Sequence, residues 1–157
     1  MTVWTIHCDG SAVPNPGRMG LGAVVIAPGG AAHRLSQATS FTGCNNEAEL
    51  RALLLALRWL QAQGGDVAGV RVFSDSSILV EQMTTCERPI ARLAPLVDEV
   101  RGVLGAFAAL GPLAVQWLPR RRNGEADALA RAALGLAPKA ALSHAARKRQ
   151  RKRQKPR

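Results

Sequence analysis

"NNEAELRALLLALRWLQAQGG", residues 45–65, is the stretch that decides the fold. Leu50, Leu53, Leu54, Leu57 and Leu60 recur at helical spacing, so one apolar stripe runs along a long helix. Asn45 or Asn46 stands where a cap is wanted, and Gly64 stands where the helix must close. Upstream, "TVWTIHC" (2–8) alternates apolar and polar residues and predicts a strand. "GLGAVVIAP" (20–28) and "AAHRLSQAT" (31–39), joined by Gly29 and Gly30, predict two more in an antiparallel meander. Downstream, "VRVFSD" (70–75) is a fourth strand. A strand reached through a helix implies a parallel crossover, so the first and fourth strands are expected as neighbours at the sheet centre.

The rest of the chain completes this pattern. "DGSAVPNPG" (9–17) reads as a turn or loop, because two prolines and two glycines stand among Asp, Ser and Asn. "SSILVEQM" (76–83) is a short helix, and "ARLAPLVDEVRGVLGAFAAL" (91–110) a longer one with Pro95 early in it. "LAVQWLP" (113–119) is a fifth strand, and "NGEADALARAAL" (123–134) the last helix. The expected class is α/β, a five-stranded mixed sheet in the order βββαβααβα with flanking helices.

Composition narrows the biology. A chain of 157 residues suits one domain, and its 47% apolar content is enough for a core filled by Leu, Val and Ala. No apolar run is long enough for a membrane span, and the N-terminus lacks the pattern of a signal peptide, so an intracellular, cytoplasmic monomer is expected. Cys8, Cys44 and Cys86 are odd in number and form no CxxC pair, which argues against a structural zinc site or a disulfide framework. "HCD" (7–9) does not form a metal site, because strand neighbours point to opposite faces.

The net charge is +10, and nine basic residues without one acid lie between Lys139 and Arg157. Residues 1–138 are therefore nearly neutral. The expected organisation is a domain over 1–137 and a basic, disordered tail over 138–157 that grips a polyanion.

Four acids fall at suggestive places. Asp9 ends the first strand, Glu49 lies in the first turns of the long helix, Asp75 ends the fourth strand, and Asp127 opens the last helix. Ligand sites in open α/β sheets form beyond strand ends, where strand order reverses. Four carboxylates brought together there would repel one another unless hard cations hold them. A set of acids without His or Cys suits Mg²⁺ or Mn²⁺ rather than zinc. Two such ions can bind the attacking water and the leaving oxygen of a phosphodiester. Taken singly, each acid is as well explained by a turn, a cap or a solvated helix start.

Together, "DGSAVPNPG", "NNEAEL", "FSDSS" and "NGEADALA" resemble the motifs of type 1 ribonuclease H, in family order, over residues 1 to about 136. The resemblance implies a ribonuclease H-like fold and hydrolysis of the RNA strand of RNA–DNA hybrids with two Mg²⁺ ions, Mn²⁺ being the substitute. Double-stranded RNA is a further candidate substrate. It implies that Asp9, Glu49, Asp75 and Asp127 are the catalytic, metal-holding acids, with Asp9 bridging both ions. Glu49 and Asp75 would hold the ion near the leaving group, and Asp127 the ion that activates water. Gly10, Ser11, Asn15, Asn45, Asn46 and Ser76 fall where the family contacts the hybrid. An amide that both donates and accepts suits a 2′-hydroxyl in the wide minor groove.

Two departures stand out. The loop "PRRRN" (119–123) has no histidine where many members carry a catalytic one, and Arg120 is the candidate for that role. It stays protonated, so it can stabilise charge or aid product release but cannot serve as a base. "MTTCERPIAR" (83–92) is also too short for the basic protrusion of some members. The rival readings are another nuclease on this fold, such as a junction resolvase or exonuclease, and a non-catalytic nucleic-acid-binding domain.

Overall fold

The computed structural model describes residues 2–85 and 88–139. Its sheet has five strands, β1 (Val3–Ala12), β2 (Gly17–Ile26), β3 (Ala32–Gly43), β4 (Gly69–Ser74) and β5 (Leu113–Trp117), in the order β3-β2-β1-β4-β5. The helices are α1 (Asn45–Ala62), α2 (Ser77–Thr84), α3 (Ala94–Ala108) and α4 (Gly124–Ala133). Pairing is antiparallel for β1–β2 and β2–β3 and parallel for β1–β4 and β4–β5. The expected mixed sheet, with β1 and β4 as parallel neighbours, is what the chain forms.

Helix α1 buries the stripe read from its sequence. Leu50, Leu53, Leu57 and Leu60 are all at most 1% exposed, each worth about 1.5–3 kcal/mol of burial. They pack against Ile6, Cys8, Leu21, Val25, Val70 and Val72 of the sheet and Val97 and Val100 of α3. Pro95 sits in the first turn of α3, where its missing N–H is not needed, after a 3-10 turn at Ala91–Leu93.

Glycines let two helices touch the sheet. A Cβ on Gly10 would stand 2.2 Å from the Ala48 carbonyl carbon and oxygen, so α1 lies directly on β1 there. On β2, a Cβ at Gly22 would meet the Ala126 carbonyl oxygen of α4 at 2.3 Å. Any larger residue at either position would push away the helix that carries Glu49 or Asp127.

Two expectations need correction. "DGSAVPNPG" is not all loop: β1 pairs with β2 as far as Ala12↔Met19, and only residues 13–16 lie outside strands. The two prolines fall in that short bend, while Asp9 to Ala12 keep their ladder partners. The cap of α1 is Cys44, whose sulfur accepts the Glu47 N–H at 3.4 Å, not Asn45 or Asn46. The Asn45 side chain is otherwise engaged, since its Oδ1 accepts the Ala12 N–H at 2.8 Å and ties the start of α1 to the end of β1.

The basic stretch lies outside the described residues except for Pro138 and Lys139, as does Cys86. Among the described residues Cys8 and Cys44 are free thiols, and no helix is long and apolar enough to cross a membrane.

Candidate active site

The parallel β1–β4 ladder stops at His7↔Phe73. Asp9 and Asp75 each lie two residues beyond that last pair, at the sheet centre where β1 has an antiparallel neighbour on one side and a parallel one on the other. This is the reversal in strand order where open sheets form sites. Asp9 is therefore within a strand rather than at its end, and β4 is the strand that stops and opens the cleft.

Each remaining acid is delivered by a helix start. Glu49 comes from α1, held close by the Gly10 contact. Glu47, two residues earlier, instead pairs with Arg51 at 3.2 Å. Asp127 comes from the first turn of α4 and is 6% exposed. Glu125 lies off this face and pairs with Arg34. Carboxylate oxygens of Asp9, Glu49 and Asp75 all lie within 4.8 Å of one another, and Asp127 is near enough to add to the upward shift of Asp9.

Burial and mutual repulsion shift these groups. Asp9 is pushed up to about 8, first by burial, then by Asp75 and Glu49. Glu49 is pushed up to about 7, mainly by burial, against the Ser76 hydroxyl, which favours its ionised form. Asp75 is also raised by burial, with Arg120 and Lys139 opposing. The Cys8 thiol beneath them is held far above its ordinary range by complete burial and the same acids, so it is an inert part of the core.

The cleft holds about 90 Å³, lined by Asp9, Gly10, Ser11, Asn45, Glu49, Asp75, Arg120 and Lys139. That space suits small hydrated ions rather than an apolar ligand. The donor set is all carboxylate oxygen, which fits hard divalent cations. The raised acids fit them as well, since acids that resist ionising together are relieved by added positive charge.

The other sequence-derived residues divide into groups. Gly10, Ser11 and Asn45 line the cleft with the acids. Asn15 stands at its rim, where its Oδ1 accepts the Asn45 N–H at 3.1 Å. Asn46 is half-buried in the first turn of α1. Ser76 caps α2, accepting the Leu79 N–H at 3.2 Å, and also faces Glu49. Arg120 is exposed in a 3-10 turn, with Nε 3.8 Å from Asp75 Oδ2. Arg121 and Arg122 do not line the cleft with it.

Sequence reasoning missed three contacts that support the site, and its reading of Asn123 as a helix cap is corrected. Asn123 holds the N-cap position of α4 but makes no side-chain cap; it donates to the Cys8 carbonyl instead. Trp117 donates its indole N–H to the Asp75 carbonyl at 3.1 Å, and the signal for it was an aromatic residue at the end of β5. Lys139 brings its ammonium to 3.3 Å from Asp127 Oδ1, and nothing distinguished it from the other basic residues of the tail.

A family model described as reverse transcriptase-like matches residues 7–133. The chain belongs to the reverse transcriptase-like family. Its relatives include the bifunctional protein Rv2228c of Mycobacterium tuberculosis, 32% identical over 89% of this chain. The chain spans only 38% of that relative's length. The N-terminal ribonuclease H domain of Rv2228c has been solved and is 30% identical, with a TM-score of 0.71 over 86% of this chain and 95% of that one. LC11-RNase H1, isolated from compost by a metagenomic approach, is also 30% identical, with a TM-score of 0.75 over 85% of this chain and 96% of that one. A second structure of LC11-RNase H1 contains an RNA/DNA hybrid, and this chain is similar to it at 28% identity and a TM-score of 0.72, over 88% of this chain and 99% of that one. The reverse transcriptase-like domain described here thus has the fold of type 1 ribonuclease H.

Proposed function

We propose that this protein is an endoribonuclease that hydrolyses the RNA strand of RNA–DNA hybrids in a two-metal site. The observation that carries this reading is the convergence of Asp9, Glu49 and Asp75 within 4.8 Å, with Asp127 electrostatically coupled to Asp9, in a cleft lined by Ser11 and Asn45. The similarity to LC11-RNase H1, solved with a hybrid, supports the choice of substrate.

Asp9, Glu49, Asp75 and Asp127 would hold Mg²⁺, with Mn²⁺ as the substitute. When bound, these ions supply the charge that stabilises the developing phosphorane oxygens and the polarisation that activates water. The chain's own residues do the rest. Asp9 is central, since it lies close to Glu49 and Asp75 and is also electrostatically coupled to Asp127. Ser11, Asn15, Asn45 and Asn46 offer donors and acceptors to the minor groove and its 2′-hydroxyls, which distinguish RNA from DNA. Arg120 sets a fixed positive charge beside Asp75, where it can steady the scissile phosphate but cannot accept a proton.

The basic tail over 138–157 is the proposed electrostatic grip on the hybrid. Truncation after Ala137 is expected to flatten the salt dependence of hybrid binding, since each phosphate contact contributes a slope of about −0.9. An unchanged slope would remove the tail from the account.

Cleavage assays on RNA–DNA hybrid, double-stranded RNA and duplex DNA, with Mg²⁺ and with Mn²⁺, test the function. The hybrid's RNA strand is the expected substrate. Preferential cutting of duplex DNA would favour the resolvase or exonuclease reading, and binding without cleavage a non-catalytic domain.

A further inference from the structure

Residues 134–139, beyond α4, fold back onto the carboxylates. Gly135, at φ +72°, ends the helix with a left-handed turn in which Gly135 N–H donates to Ala132 O and Leu136 N–H to Arg131 O, both at 3.0 Å. Arg131 Nε then donates to the Ala137 carbonyl at 2.6 Å and pins the reversed segment against the helix. From Asp127 to Ala133 the helix rises about 9 Å. The segment from Leu134 to Lys139 can span up to about 17 Å, enough to return to the first turn of α4.

Lys139 completes that return. Its Nζ stands 3.3 Å from Asp127 Oδ1, and it lines the cleft with Asp9, Glu49, Asp75 and Arg120. Asp127 Oδ1 is buried and accepts no hydrogen bond among the described residues. The ammonium is near enough for charge attraction but is not in hydrogen-bonding geometry. The Asp127 side chain is 8% exposed and that of Lys139 49%. A desolvated carboxylate is thus faced by a cation that reaches it from the solvent side and is free to withdraw.

We propose that Lys139 is a tethered counter-cation for Asp127, displaced when a divalent ion is taken up on the Asp127 side of the site. Lys139 is in this sense a positioning residue: it acts through Asp127 and sets the divalent concentration at which that side fills. The proposal rests on the metal-site reading given above. Lys139 makes its ion pair with this carboxylate, while its charge reaches Glu49 and Asp75 only at longer range and Asp75 has Arg120 as its own cationic neighbour. The three-residue clamp of Arg131, Gly135 and Ala137 is what aims the lysine, so loosening the clamp acts in the same direction as removing the charge.

The test is a Mn²⁺ titration of the full chain without nucleic acid, followed by the electron paramagnetic resonance signal of free Mn²⁺. Wild type, Lys139→Ala, Lys139→Arg, Arg131→Ala and Asp127→Asn are compared, with circular dichroism to establish that each is folded. Lys139→Ala is expected to lower the midpoint of the weaker binding class about two- to fivefold, the range of a partly exposed ion pair. Lys139→Arg should stay near wild type, and Arg131→Ala should shift in the same direction as Lys139→Ala. In an Asp127→Asn background, Lys139→Ala should have no further effect. A midpoint unchanged or raised in Lys139→Ala overturns the proposal, as does a shift that persists in the Asp127→Asn background. If wild type binds no Mn²⁺ at all, the metal-site reading itself fails and this proposal fails with it.

Discussion

The Asn123 side chain donates from Nδ2 to the Cys8 carbonyl oxygen at 2.9 Å, joining the start of α4 to the middle of β1. Cys8 precedes Asp9, and Asn123 lies four residues before Asp127, so one buried hydrogen bond sets the spacing between two of the four acids. Asn123 is 1% exposed, and a lost buried hydrogen bond of this kind costs about 1–2 kcal/mol. Asn123→Ala is expected to lower Tm by roughly 3–8 °C. Hybrid cleavage should fall by more than that loss of folded protein accounts for. Thermal melts beside rate measurements on the folded fraction check this, and a variant with wild-type Tm and rate would show that the bond positions nothing.

The raised carboxylates predict opposite pH trends with and without metal. Asp9 is raised to about 8 and Glu49 to about 7, so the metal-free fold binds more protons than the unfolded chain between their ordinary values near 4 and those values. Their contribution to stability is therefore present below about pH 4 and is lost as pH rises through 7 and 8. Added Mg²⁺ neutralises the ionised acids, so the Mg²⁺-induced rise in Tm should grow from pH 6 to pH 9. Metal uptake should release protons across that range. Melting curves with EDTA and with Mg²⁺ over that range measure it; a Mg²⁺ effect that shrinks with pH would contradict it.

Arg120 is predicted to aid the reaction without setting its proton chemistry. The Arg120→Ala variant should lose about three- to tenfold in kcat/KM, the scale of one exposed charge-assisted contact. Its pH–rate profile should keep the wild-type number of ionisations, because guanidinium does not titrate in the working range, with the acid limb displaced upward as Asp75 and Glu49 lose a cationic neighbour. Arg120→Lys should recover part of the rate. An ionisation lost from the profile of Arg120→Ala, rather than displaced, would mean that this position governs a proton transfer.

The elements were legible where one period dominated. The leucine stripe of α1 and the alternation in β1 announced themselves, and the crossover between the meander and β4 followed from order alone. Glu49, Asp75 and Asp127 could be proposed because each stood near the end of an element that could be read, whereas Asp9 was proposed at a strand end and lies within β1. What was not legible depends on distances between elements. Gly10 looked like part of a turn, whereas it is a strand residue that lets the Ala48 backbone lie against β1. Cys44 gave no hint of capping, because a thiol is a weak acceptor and two asparagines beside it were better candidates. Lys139 is one of nine similar charges, and only the turn at Gly135 returns it to Asp127.

The central claim is that the acid cluster performs chemistry rather than merely attracting a polyanion through bound ions. Asp75→Asn changes one oxygen to an amide, keeps the size of the side chain and leaves the Trp117 contact to the Asp75 carbonyl intact. Hybrid cleavage and hybrid binding, measured on this variant and wild type in the same Mg²⁺ buffer, test the claim most directly. The account predicts a loss of cleavage of about a thousandfold or more, on the scale of removing a catalytic group, with hybrid affinity kept within about threefold. Cleavage retained near the wild-type rate would contradict it.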